Sequence, residues 1–264
     1  MRRAVAMNRR SLAALLVALL SPACTVEDAA DYVHAEDEEN GDGMGVDEAA
    51  AGPGVRVPTS LNLDRRGVFY LTFDDGPSPR YTRSILRTLA AHNAPATFFV
   101  TGANIANNQA ILREIRAAGH VVASHQWSHV VATAAQFSQW VPRQRDALDT
   151  LFGERIPRLF RYPYGAGTNA KEAVLRANGY SDGGIGWDVD SLDWCYGPDA
   201  YCDRAPMAYR RDMVGYVMAQ AMARGGGVVL FHDIQGVTAT KLDEVLTRME
   251  RAGYRFAALP TAGR

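Results

Sequence analysis

Short apolar runs alternate with amphipathic stretches along the last two hundred or so residues of this chain. Strand-like runs fall at about 68–73, 96–100, 120–124, 158–162, 184–189, 227–231 and 255–259. Each has the length and the β-branched or aromatic content of a buried strand. Between them apolar residues recur at helical spacing: Ile85, Leu86 and Leu89 in 81–91, Ile111, Leu112 and Ile115 in 109–118, and Leu242, Val245, Leu246 and Met249 in 240–252. Strand alternating with helix predicts a parallel sheet. The spacing predicts a distorted (β/α)7 barrel, one unit short of the eight-stranded form, built as a single domain around one core. No internal repeat stands out.

Five of these runs end in residues able to do chemistry. The first delivers Asp74 and Asp75, the third His125 and His129, the fourth Arg161-Tyr162-Pro163-Tyr164-Gly165. The fifth delivers Asp190, Asp193 and Trp194, and the sixth His232 and Asp233. In a parallel barrel those ends share one rim, where ligands bind. Adjacent acids such as Asp74 and Asp75 repel unless a cation or a base role divides their work; the plain alternative is a surface Asp-Gly-Pro turn. Two His and a carboxylate are a common zinc set with a coordination position left open, although His125-x-x-x-His129 alone also describes a pair on a helix surface. Taken singly, Arg161 and Asp193 fit a core ion pair, Trp187 ordinary packing and His232 a satisfied core histidine.

As a set, Thr72-Phe73-Asp74-Asp75-Gly76-Pro77, His125-x-x-x-His129, Arg161-x-Pro163-Tyr164-Gly165, Asp190-x-x-Asp193-Trp194 and Leu230-x-His232-Asp233 resemble, in order, the five motifs of the polysaccharide deacetylases. These are the NodB-homology domains of carbohydrate esterase family four, and the likeness runs from about residue 64 to 260. The resemblance implies the same barrel and a divalent metal, usually zinc, held by Asp75, His125 and His129. Such an ion polarises an acetyl carbonyl and lowers the pKa of its water toward about 7. It further implies Asp74 as general base with Arg161 orienting it, and His232 as the acid that protonates the leaving amine or alcohol. Asp193 would pair with His232, the Tyr164 backbone N–H would be the oxyanion donor, and Trp187 and Leu230 would wall the acetyl pocket. Two positions depart from the family pattern. Gln126 stands where a Ser or Thr usually hydrogen-bonds within the loop, and Tyr162 replaces a common Pro. Neither removes a ligand or a catalytic group.

Composition changes the picture mainly at the N-terminus. Arg2, Arg3, Arg9 and Arg10 precede an apolar run at 12–20 and then Ser21-Pro22-Ala23-Cys24. That reads as a signal peptide over residues 1–23, too short to span a bilayer. Cys24 after small residues resembles a bacterial lipobox, although Ser21 stands where Leu is usual, so lipidation at Cys24 is expected ahead of ordinary cleavage after Ala23. Residues 24–57 carry ten acids and one base and predict a disordered acidic tether reaching on the order of 30 Å. Their spacing does not fit an EF-hand. The catalytic domain is then expected over 58–264. Of three cysteines, removing Cys24 leaves Cys195 and Cys202. In an exported protein these predict a disulfide, adding roughly 2 to 3 kcal/mol. From residue 56 on, 24 basic residues (28 less four) face 19 acidic ones (29 less ten), a net charge of +5. Only Lys171 and Lys241 are lysines, and no dense basic stripe or nucleic-acid motif is present.

The expected protein is a monomeric, metal-dependent hydrolase of the bacterial envelope, membrane-anchored through Cys24 or else secreted. It would act on N- or O-acetyl groups of an extracytoplasmic polysaccharide. The Asp188-to-Trp194 run looks most like the peptidoglycan and chitin type, which places acetyl-xylan second. Hydrolases of small cyclic amides share the fold but typically lack the full motif set. A glycan-binding protein that has lost catalysis is the rival from another class, and Trp127, Tyr164, Trp187 and Trp194 could stack on sugars in either.

Overall fold

Seven consecutive buried residues, Val68–Asp74, form β1, the strand on which the fold is organised. The computed structural model describes residues 56–197 and 199–261, so the expected signal peptide, Cys24 and nearly all of the acidic tether lie outside the described residues. β1 pairs in parallel with β5 (Gly227–His232) on one side. On the other side its first half meets β6 (Arg255–Ala257) and its second half β2 (Thr97–Val100). β3 (Val121–Ser124) extends the sheet beyond β2, and β4 (Val189–Asp190) pairs with β5. Every pairing is parallel, as expected of strands joined by helical crossovers and buried on both faces.

Alternation along β1 divides its side chains between two layers. Phe69, Leu71 and Phe73 point outward into the larger core beneath the helices, where Phe73 stacks between Phe98 and Phe231. Val68 and Tyr70 point inward with Phe99, Ala123, Leu159, Ile185 and Val228. Thr72 and Asp74 continue that inward column, so the interior becomes polar toward the rim.

Single bridges link Ser124 to Phe160 and Phe160 to Gly184, carrying the sheet from β3 toward β4 and curling it into the distorted barrel. The runs predicted as strands at 158–162 and 184–189 therefore shrink to a bridge each plus the two-residue β4. The cause is local. The Arg161 guanidinium takes the Ile185 and Gly186 carbonyls at 3.0 and 3.1 Å, and an Asp188 carboxylate oxygen accepts the Val228 N–H in place of a backbone carbonyl. Side-chain groups thus occupy places where a longer ladder would put backbone partners.

Helices α1 (Thr82–Ala91), α2 (Gln109–Ala117), α3 (Ala134–Phe152), α4 (Asn169–Ala177), α5 (Met213–Arg224) and α6 (Gly236–Arg251) lie between the strands, with short 3-10 turns in the connections. α3 opens on a reciprocal Thr133–Gln136 capping box and closes on Gly153 in the left-handed conformation. α6 starts earlier than the apolar spacing alone predicts. Its first turn carries Thr238, which is fully buried because its hydroxyl is bonded at the rim. None of the described helices is long and apolar enough to cross a membrane.

Candidate active site

The strand ends bring Asp74, Asp75, His125, His129, Arg161, Asp193 and His232 to one rim. Asp74, the last residue of β1, is 3% exposed, and one of its oxygens accepts from Arg161 Nη1 at 2.8 Å. Arg161 is almost fully buried. The same nitrogen reaches Thr72 Oγ1 at 2.8 Å, while the guanidinium lies 4.3 Å over the Phe99 ring. Burial lowers its pKa against the pull of Asp74 and Asp190. An arginine starts so far above neutrality that it remains a cation. The other Asp74 oxygen faces His125 Nε2 at 3.8 Å.

Asp75 leaves the strand in a left-handed conformation, φ 76°, and its carboxylate meets His125 and His129 rather than Arg161. Its Oδ1 lies 3.1 Å from His125 Nε2 and 3.2 Å from His129 Nε2, yet this buried oxygen has no hydrogen-bond partner. His125 Nδ1 donates to the Arg161 carbonyl at 2.9 Å, a bond that aims Nε2 at Asp75. Burial lowers the His129 pKa and favours its neutral form. Burial raises the Asp75 carboxyl, but the adjoining His125 and the further imidazoles of His232 and His129 outweigh it and hold the group well below the ordinary carboxylate range.

These are the marks of a cation site. The three donor atoms lie within 4.8 Å of one another. Tetrahedral ligands at bond lengths of about 2.0–2.2 Å stand roughly 3.3 Å apart, close to the two separations seen. A buried carboxylate oxygen set between two imidazole nitrogens, with no hydrogen bond of its own, fits a divalent ion.

On the adjoining strand ends, His232 Nδ1 contacts Asp193 Oδ1 at 2.6 Å. The second Asp193 oxygen accepts from the His232 backbone N–H at 2.7 Å and from Thr238 Oγ1. Burial lowers the His232 pKa, but Asp193, with Asp75 and Asp74 behind it, more than reverses this and pushes it up to about 10. His232 is therefore an imidazolium in the neutral range, held by a carboxylate that itself has three donors.

The pocket residues occupy compatible places. Leu230 is 4% exposed on β5, in register between Thr72 and Asp190. Trp187 packs on the inner core, with the Arg161 guanidinium 5.7 Å from its ring. Tyr164 sits in a tight turn, Pro163–Gly165, with φ 55°. Its exposed side chain lies against His129, ring centroids 4.4 Å apart, and its hydroxyl donates to the His129 carbonyl. Cys195 and Cys202 are bonded to each other just beyond Asp193 and Trp194. The departure at Tyr162 also finds a reason, since its hydroxyl and the Gly184 N–H both donate to Glu172 Oε1, tying α4 beneath the Arg161 turn.

Three more residues support the site, and of these Thr72 and Asp233 lie inside motifs already named, without a role assigned there, while Thr238 lies outside them. Thr72 links Arg161 to the β5 backbone through its bond to the Val229 carbonyl at 2.6 Å. Thr238 is signalled by nothing near it in the chain. Asp233 is fully buried beneath the Asp75 loop: its Oδ2 accepts from Thr82 Oγ1 at 2.6 Å, and burial pushes its pKa up to about 7. A Cβ on Gly76 would lie 2.0 Å from Asp233 Oδ1, so the loop requires glycine there.

The same stretch of chain is similar to known proteins. The family model described as polysaccharide deacetylase matches residues 63–182. The chain is 32% identical over 209 residues to the peptidoglycan-N-acetylglucosamine deacetylase of Listeria monocytogenes, covering 78% of this chain and 41% of that protein. It thus spans less than half the length of that relative. A peptidoglycan-N-acetylglucosamine deacetylase of Bacillus cereus is 30% identical over 208 residues, covering 76% of this chain and 72% of the relative. Among solved structures, a peptidoglycan deacetylase of Bdellovibrio bacteriovorus superposes with a TM-score of 0.65 at 31% identity, over 79% of this chain and 56% of that one.

Proposed function

We propose, for a chain that belongs to the polysaccharide deacetylase family, a metal-dependent hydrolase that removes acetyl groups from an extracytoplasmic polysaccharide. One observation carries the reading. An Asp-His-His cluster shaped for a cation stands beside a carboxylate that is not part of it, Asp74, and beside an imidazolium, His232.

Asp75, His125 and His129 would hold the ion, zinc by family resemblance, which supplies Lewis-acid activation of an acetyl carbonyl and of water. Asp74 takes the proton from the attacking water. Arg161 fixes one of its oxygens and leaves the other, the one facing His125, free to receive it. The Tyr164 N–H is the assigned donor to the carbonyl oxygen as charge develops there; the N–H groups of Gly165 and Ala166 are already spent on the Tyr162 and Pro163 carbonyls. His232 protonates the leaving nitrogen as the C–N bond breaks, releasing acetate and a free amine. Asp193 keeps that imidazole oriented and charged. Trp187 and Leu230 supply apolar walls for the methyl group.

An N-acetylglucosamine polymer such as peptidoglycan is the preferred substrate, supported by the names of the relatives and by the Asp188-to-Trp194 run. An envelope location, with an anchor at Cys24, fits that substrate. The test is acetate release from peptidoglycan, chitin oligomers and acetyl-xylan in parallel. Release is expected from peptidoglycan first. Release from acetyl-xylan alone would move the assignment to an esterase, and tight glycan binding without turnover would move it to a binding protein.

A further inference from the structure

Two loops carry the cation ligands, and each contains a residue with a Cβ in the left-handed region: Asp75 at φ 76° and Gln126 at φ 63°. Such conformations persist only where the surroundings impose them. Two side-chain carboxamides bond the backbone of these loops. Gln126, 1% exposed, donates through Nε2 to the carbonyls of Ser128 at 2.7 Å and Val130 at 2.9 Å, the residues on either side of His129. Asn104 donates through Nδ2 to the Asp75 carbonyl at 2.9 Å, with the Gly76 carbonyl at 3.4 Å.

The segment that carries Asn104 is bonded to both loops. Thr101 donates its backbone N–H to the Gly76 carbonyl and its hydroxyl to the Asp75 carbonyl. In the next two residues, the N–H groups of Gly102 and Ala103 reach the Gln126 and Trp127 carbonyls at 2.9 and 2.8 Å. A Cβ on Gly102 would come 2.5 Å from the Trp127 ring, so the contact leaves no slack. Residues 101–104 thus form a bracket between the Asp75 loop and the His125–His129 loop.

We propose that Gln126 and Asn104 are positioning residues that set the cation affinity of the Asp75–His125–His129 cluster. The proposal rests on the metal reading above. Neither carboxamide touches a ligand atom, so removing one leaves the donor set intact and loosens only the backbone that aims it. Affinity then falls by the fraction of time the loops spend with their donors aligned. Gln126 does for this chain, through two bonds from a longer side chain, what a Ser or Thr does in the usual family loop.

The test is zinc affinity, measured by competition with a chromophoric chelator, for wild type, Gln126→Met, Asn104→Ala, His129→Ala and Gln220→Met. Gln126→Met keeps side-chain bulk and removes the donor. Gln220→Met removes a similar carboxamide-to-backbone bond, to the Asp190 carbonyl at 2.6 Å, away from the ligand loops. The first two variants are expected to bind zinc about tenfold more weakly than wild type, and Gln220→Met within about twofold of it. Thermal unfolding of the zinc-free proteins should shift alike for all three, which a purely structural role would not reconcile with a selective loss of zinc. Unchanged affinity in both Gln126→Met and Asn104→Ala overturns the proposal, as does an equal loss in Gln220→Met. Wild type binding zinc no better than His129→Ala would instead remove the metal reading, and the proposal with it.

Discussion

Asp74→Asn is expected to slow acetate release by about 10²–10⁴-fold, the range of a lost general base, while zinc affinity stays close to that of wild type. The amide preserves size and leaves an oxygen to accept from Arg161 Nη1, so the buried guanidinium is not stranded as it would be in Asp74→Ala. What the amide cannot do is take a proton from water at the oxygen facing His125. Zinc is retained because the Asp75 carboxylate, not that of Asp74, has His125 and His129 nitrogens at 3.1 and 3.2 Å. Equal turnover in wild type and variant, measured on the same polymer, would remove Asp74 from the base role. Loss of zinc together with turnover would place it among the ligands.

His232→Ala is expected to lower kcat by a similar factor, about 10²–10⁴-fold, with a smaller change in KM. Proton donation to the leaving nitrogen is needed only as the C–N bond breaks, so the interaction belongs to the transition state more than to substrate binding. The variant should fold. Asp193 keeps the backbone N–H of residue 232 and the Thr238 hydroxyl as donors, so its carboxylate is not left bare when the imidazole goes. A leaving group that needs little protonation should narrow the gap. Activated aryl acetates are therefore expected to be cleaved by His232→Ala at nearer the wild-type rate than the N-acetyl polymer is. An equal loss on both substrates would argue that His232 acts on binding or on structure.

Physical reasons separate what could be read along the chain from what could not. β1 is legible because seven buried residues in a row admit few alternatives once flanking helices are predicted. Its two acids are legible as a pair because the strand ends on them, and the remaining motif residues because each terminates an apolar run. Strand pairing near residues 160 and 185 is not legible. Apolar content there predicts a ladder, and nothing in it announces that the Arg161 side chain will bond the Ile185 and Gly186 carbonyls. The start of α6 is hidden for a related reason: Gly236 and Thr238 look like loop residues until Asp193 is seen to accept the Thr238 hydroxyl. Asn104 and Gln126 leave no trace in spacing because they act on backbone carbonyls, groups that every residue carries. Gln126 could be flagged only as a departure from a family pattern, and its meaning appears only when Ser128 and Val130 are seen to be its acceptors.

The central claim is that one rim combines a cation held by Asp75, His125 and His129 with acid and base groups that do not bind it. Its most direct test is acetate release from peptidoglycan by protein stripped with a chelator, dialysed, and then titrated with zinc while metal content is measured on the same samples. The account predicts that release falls to background in the stripped protein and returns in proportion to zinc, reaching its plateau at about one ion per chain. Undiminished release from protein shown to contain no metal would contradict it.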